Sequence, residues 1–444
     1  MTNVDSNELT AIHTNMFDLS ANLPTLPSAI RYFDDFTDQN QSIRNLRDSN
    51  AVSIFSDGIR HNIDLSVFRL ASTVVKHVLV DWFEHLDPTT VVIQMRSIQA
   101  YIASRGIDSF YHLILSTPFD ARAHWNSFVL ARVTAQETYA LRAMLKSLCR
   151  FNIGYWRPFH FSIVTAMSSP KVDKYRVVRG GDCFLPLAHQ AIIINHIDEL
   201  CVVLGKKPAD VTHTDLRTAC LLVMSFQYAF RSGQMARIEA ADVRLFPTGA
   251  VHISVLLTKQ KVQQKQIRVN RRIKREWAPL FNELVNRRDA GDIQPGENVP
   301  PHLLFGLTPQ GVSLAISKLT KDLTGFAWTP TDLRHTAAQR LADVGISHVA
   351  LTEFMGQTSD RVANVYFDKS PAQAKRINEA LAISPIYSNV AKVAETKTID
   401  KAFLLGLPAD QQIGAAPHAI PIAGIGGCDL GQSLCTKNPV LSCY

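Results

Sequence analysis

Residues 328–338 read Trp-Thr-Pro-Thr-Asp-Leu-Arg-His-Thr-Ala-Ala. Thr329 is placed to cap a helix, and Pro330 to open it, where a missing N–H costs nothing and φ is already helical. Leu333, Ala337 and Leu341 then fall at the three- and four-residue steps of one helix face. Arg334 sits in the first turns. Unpaired N–H groups at a helix start, with a guanidinium fork beside them, make an arrangement that holds phosphate. Taken alone, the stretch reads equally as a capped surface helix with a solvated arginine, so its neighbours along the chain decide.

Upstream, Tyr228-Ala-Phe-Arg-Ser-Gly-Gln234 closes an apolar run striped by Leu216, Cys220, Val223, Phe226 and Phe230. Arg231, pressed against such a helix, needs an anion, because an unpaired charge there costs several kcal/mol. A carboxylate of the chain would serve as well as a phosphate. Next, Val251, Ile253, Val255 and Leu257 alternate, and Ile267 and Val269 alternate again, which predicts a β-hairpin with Asp242–Phe246 as a third strand. Around its turn stand Lys259, Lys261, Lys265, Arg268, Arg271, Arg272, Lys274 and Arg275, against the single acid Glu276. Such a run is ordinarily a solvated face. Crowded onto a turn and the strand after it, it suits a nucleic-acid groove. Downstream, in Phe354-Met-Gly-Gln-Thr-Ser-Asp-Arg-Val-Ala-Asn-Val-Tyr366, Gly356 ends one helix, Thr358 or Ser359 caps the next, and Tyr366 follows about two turns in. By itself such a tyrosine is a core aromatic.

The order and spacing of these four elements resemble the tyrosine recombinase (phage integrase) family, over roughly residues 184–385. The resemblance implies a mainly α fold with a small antiparallel β-sheet: a helical core-binding-like domain followed by a tyrosine-recombinase-like catalytic domain. It also implies a site-specific recombinase of the integrase or transposase type. Tyr366 would attack a phosphodiester to leave a 3′-phosphotyrosyl intermediate, Arg231 and Arg334 would grip the non-bridging oxygens, and Lys259, with Lys261 as fallback, would protonate the leaving 5′-oxygen. No metal or other cofactor is needed. Double-stranded DNA is the implied partner, with a homo-tetramer on two sites. Two positions depart from the family pattern: Thr331 stands where a histidine is usual, and Gln357 where His or Trp is usual. Gln234 also replaces an acid. Thr331, His335 and Gln357 are therefore read as phosphate-binding or supporting groups. Threonine cannot act as a base near neutral pH, so the Tyr366 proton needs another acceptor. A DNA-binding accessory protein with the same fold but weak or no catalysis, and a type IB-like topoisomerase, are the alternatives.

The chain has 444 residues, a prior of roughly three domains. Its 46% hydrophobic and 19% charged composition supports a sizeable core and excludes fibrous or disordered classes. The net charge of +7 is uneven: residues 1–50 are acidic, at −4, and the rest carries +11. A basic body favours polyanions. The expected organisation is an acidic N-terminal arm over 1–58, a helical DNA-binding domain over 59–167, a basic linker over 168–183, the catalytic domain over 184–385 and an irregular tail over 386–444. Within the second of these, Ser66 is expected to cap the first helix, and Thr134 with Glu137 forms a capping box for another. Lys171, Lys174, Arg176 and Arg179 of the linker join Lys265, Arg268, Arg271, Arg272 and Lys274 as expected DNA contacts. No uninterrupted run of 18 apolar residues occurs, no leader-like segment opens the chain, and no membrane partner is expected, which together suggest a cytoplasmic protein. Seven cysteines, an odd number, read as thiols rather than a disulfide framework. Cys428, Cys435 and Cys443 lack a tight CxxC pair and are taken as free rather than as a metal site.

Overall fold

The computed structural model describes residues 6–131, 133–257, 267–291, 295–356 and 361–367, with 402, 406, 408, 412–415 and 422–427. The fold is mainly α with small antiparallel sheets. It divides into two compact units: residues 1–340 with 347–365, and residues 341–346 with 366–444.

The first correction concerns residues 1–58. From Ser6 on they form regular elements rather than an arm. Helix α1 (Ser6–Ala21) is followed by a hairpin of β1 (Ala29–Asp34) and β2 (Gln39–Arg44), then a second of β3 (Ala51–Ser56) and β4 (Ile59–Asp64). Ile30 and Tyr32 on β1, and Val52 and Ile54 on β3, alternate inward into a core that runs on to Met167. The Tyr32 hydroxyl accepts the Phe55 N–H at 2.7 Å and ties the hairpins together. The second hairpin turns on Asp57-Gly58, both with positive φ (53° and 76°), the backbone of a two-residue type I′ loop.

Helices α2 (Ser72–His85), α3 (Pro88–Arg105), α4 (Ile107–Leu115), α5 (Pro118–His124), α6 (Ala135–Arg150) and α7 (Phe161–Ala166) complete this first core around Trp82, Trp125 and Trp156. Ser66 does not cap α2. It opens a 3₁₀ turn, its N–H held by Asp64, and the α-helix begins at Ser72. The Thr134–Glu137 capping box is formed. Asp81, fully buried, is balanced by Arg150 at 2.5 Å and by the Ser147 hydroxyl at 2.6 Å. The stretch expected as a basic linker carries a short helix, α8 (Arg176–Gly180), with Val178 and Cys183 buried.

A second core gathers α9 (Leu187–Lys206), α10 (His213–Phe226), α11 (Ser232–Ala236), α12 (Ala278–Asp289), α13 (Pro309–Thr324) and the start of α14 (Pro330–Asp343) around a three-stranded sheet. That sheet has the order β5 (Val243–Leu245), β6 (Val251–Leu256), β7 (Arg268–Arg272), all antiparallel. Phe36, from the turn between β1 and β2, belongs to this second core and is 4% exposed. Helix α15 (His348–Met355) and helix α16 (Arg361–Phe367) follow α14. Helix α9 is long and apolar enough to cross a membrane by length and composition; in the fold Ile193, Ile197 and Leu204 enter the second core. Cys149, Cys183, Cys201 and Cys220 are free thiols, and burial raises their pKa values.

In the second unit, β8 (Gln412–Ala415) pairs antiparallel with β9 (Ile422–Gly427), so the expected irregular tail contains a hairpin. Cys428, Cys435 and Cys443 lie outside the described residues.

Candidate active site

The site is built around Arg334. Thr329 caps α14 as expected: its hydroxyl accepts the Asp332 N–H at 3.3 Å, and the Asp332 carboxylate accepts the Thr329 N–H at 2.9 Å. One turn later Arg334 is 6% exposed. Its Nη1 donates to the Ala229 carbonyl, and its Nη2 to the Met355 carbonyl at 2.7 Å. These carbonyl acceptors orient the fork. They also tie α14 to two distant segments, the turn before Arg231 and the end of α15.

That turn has its own geometry. After α10 ends, Ala229 takes a left-handed φ of 57° with its side chain fully buried, and Phe230 N–H reaches back to the Met224 carbonyl at 3.2 Å. The reversal sets Arg231 at the N-cap of α11, half-buried, with its N–H donating to Gln234 Oε1 at 2.9 Å. Gln234 thus serves this turn as a neutral backbone acceptor. His335, one residue beyond Arg334, lies within the electrostatic reach of both arginines. Burial lowers its pKa below 6.5; Asp332 opposes this, and Arg334 and Arg231 add to it. The imidazole is therefore neutral at neutral pH. One step along a helix turns His335 about 100° from the direction of Arg334, yet both arginines act on it electrostatically. Thr331 is exposed on the first turn of α14.

Lys259, Lys261 and Lys265 lie outside the described residues, as does Gln357. Their flanks are described and meet. Leu257 N–H pairs with the Ile267 carbonyl at 2.9 Å, closing the ladder below the 258–266 connection. The Leu257 side chain lies against Gly356, where an added Cβ would stand 2.6 Å from Leu257 Cδ2, and where φ is 58°. Only glycine meets both demands. Arg271 adds a further tie. Its Nη2 donates to the Phe354 carbonyl at 2.8 Å, and its guanidinium lies over the Phe354 and Phe230 rings at 4.9 and 5.8 Å. Burial lowers its pKa. Arg271 therefore lies on the inner side of the sheet, half-buried. The period of two along β7 is the reason: Val269 and Arg271 turn inward, Arg268, Asn270 and Arg272 outward.

The outer face of the sheet is basic. Arg244, His252 and Arg272 stand in one cross-strand row, and Arg244 and Arg272 are exposed. Arg244 was missed in sequence; the alternation of the short strand 243–245 is the signal that carries it. Arg268 pairs with Asp242, and Lys274 lies over Trp277 at 4.7 Å. Lys171, Lys174 and Arg176 are exposed, while Arg179 is paired with Asp173 at 2.6 Å.

Tyr366 lies on α16 and is 1% exposed. It belongs to the second compact unit, whereas Arg231 and Arg334 belong to the first. Among the described residues no cluster of His, Cys, Asp or Glu has the make-up of a metal site.

No protein-family model and no curated protein matches the chain. Solved structures do. XerH site-specific recombinase bound to palindromic difH substrate is 13% identical, covering 72% of this chain and 96% of that one, with a TM-score of 0.44. The Tn1549 transposon integrase in complex with transposon right end DNA is 14% identical, covering 70% and 99%, with a TM-score of 0.41. A lambda integrase dimer bound to a COC′ core site is 14% identical, covering 66% and 96%, with a TM-score of 0.38. These three solved structures are a site-specific recombinase and two integrases.

Proposed function

We propose that this chain is a site-specific DNA recombinase that cuts and rejoins double-stranded DNA through a 3′-phosphotyrosyl link. The observation that carries the reading is the clasp of Arg334 by the Ala229 and Met355 carbonyls. It draws the Arg231 turn and the end of α15 to one arginine, and Gly356 in turn rests on Leu257, two residues before Lys259. Segments far apart in sequence converge as a shared phosphate would require.

In the proposed reaction the Tyr366 oxygen attacks phosphorus, the phenol loses its proton, and the bond to the 5′-oxygen breaks as Lys259, or Lys261, protonates that oxygen. Arg231 and Arg334 hold the non-bridging oxygens, where charge grows; one such donor is typically worth about 10²–10³ in rate. His335, neutral through burial and its arginine neighbours, is the group suited to receive a proton where Thr331 cannot. The phosphotyrosyl ester conserves the bond for religation, so no external energy is needed. The exposed bases Arg244, Arg272, Lys171, Lys174 and Arg176 meet backbone phosphates, and four copies act on two sites.

A nicked suicide duplex carrying the cognate site tests this. A covalent protein–DNA adduct should form and should vanish in Tyr366→Phe. Absence of an adduct from the wild-type chain on bound cognate DNA would leave only an accessory DNA-binding role. Products that join two sites, rather than relaxed single circles, separate recombination from topoisomerase action.

A further inference from the structure

We infer that Asp57, in the N-terminal hairpin, is a positioning residue for Arg231 and acts through Arg237; this rests on the proposed reading of Arg231. Helix α11 spans only Ser232–Ala236, and a helix that short has almost no stability of its own. Met235 and Ala236 bury its inner face in the second core, and its two ends are held by further contacts. Arg231 is the residue before it and Arg237 the residue after.

Arg237 is gripped from two sides. Nη1 donates to the Gly233 carbonyl at 3.1 Å, inside α11, and Nη2 to Asp57 Oδ1 at 2.7 Å, from a residue 180 positions upstream. The guanidinium also lies 5.3 Å from the centre of the Phe36 ring. Asp57 in turn is fixed. Its N–H donates to Asp34 Oδ1 at 3.0 Å, and Asp34 is held by the N–H and hydroxyl of Thr37. The next residue, Gly58, lies so close to Thr308, Phe36 and Asn298 that an added Cβ would come within 2.8 Å of the threonine methyl. Both hairpin tips are therefore seated on the second core. The ion pair is partly exposed, 20% at Arg237 and 31% at Asp57. It is strong enough to orient a fork and accessible enough to be broken without unfolding either core.

The test uses the full chain in four forms: wild type, Asp57→Asn, Arg237→Lys and Arg237→Ala. Asparagine tolerates the positive φ of residue 57, so only the charge is lost. Hydrogen exchange over 229–240 and single-turnover cleavage of the nicked duplex are both measured, together with duplex affinity. Asp57→Asn should raise exchange over 232–237 about threefold to tenfold and slow cleavage by a similar factor, with affinity unchanged. Arg237→Lys keeps the charge without the fork and should fall between wild type and Arg237→Ala. Unchanged exchange in Asp57→Asn overturns the link to α11 whatever the activity. Raised exchange with wild-type cleavage overturns the positioning of Arg231. If the wild-type chain forms no adduct, the reading of the site falls, while exchange alone still decides whether Asp57 holds α11.

Discussion

At the scale of single residues, the arginines are legible in sequence and their surroundings are not. The runs around Arg231 and Arg334 announce two guanidinium groups on apolar helices, yet nothing in spacing shows that main-chain carbonyls hold one of them. His335 illustrates the gap. Its pKa depends on burial and on an arginine about a hundred residues away in the chain. Because the folded value lies below 6.5, protonation opposes folding: this contribution to stability is complete above about pH 6.5 and is lost as pH falls through the folded value. Adduct formation should decline over the same fall. Replacing His335 with Gln should flatten both profiles, which a pH series of thermal melts and cleavage rates will read. An acid limb that persists in His335→Gln would assign the titration elsewhere.

At the scale of elements, two devices can be challenged directly. Gly356 combines a positive φ with contact against Leu257, so Gly356→Ala should destabilise by about 1–3 kcal/mol in denaturant melts and reduce cleavage more than DNA binding. On β7 the two faces should behave differently. Arg272→Gln should lower the slope of log affinity against log salt by about one. Arg271→Gln should instead lower stability, since its guanidinium serves Phe354 and Phe230. Strands β6 and β7 are legible because they alternate cleanly, and the caps at Thr134 and Thr329 because hydroxyl and carboxylate stand three residues apart. The N-terminal hairpins went unread although Val52 and Ile54 alternate and Asp57-Gly58 is a strong hairpin turn. The acidic and Asn-rich composition around them suggests solvent. It is the outward half of each strand that supplies those polar residues.

At the scale of the whole chain, Phe36 and the Asp57–Arg237 pair couple the first 64 residues to the second core. The ion pair joins residues 180 positions apart, which is why no local pattern reveals it. Phe36→Ala should cost about 3 kcal/mol. The loss should appear in hydrogen exchange across α10 and α12 at least as much as across α2 and α3. A loss confined to α2 and α3 would show that the ring serves only its own hairpin. One consequence reaches back to biosynthesis. The ribosome delivers Phe36 early, while Leu304, Val312 and Leu333, members of the cluster that receives it, are delivered last. At ordinary translation rates the waiting time is on the order of tens of seconds, and throughout it the nascent hairpin must keep an aromatic tip wet beside its own acids.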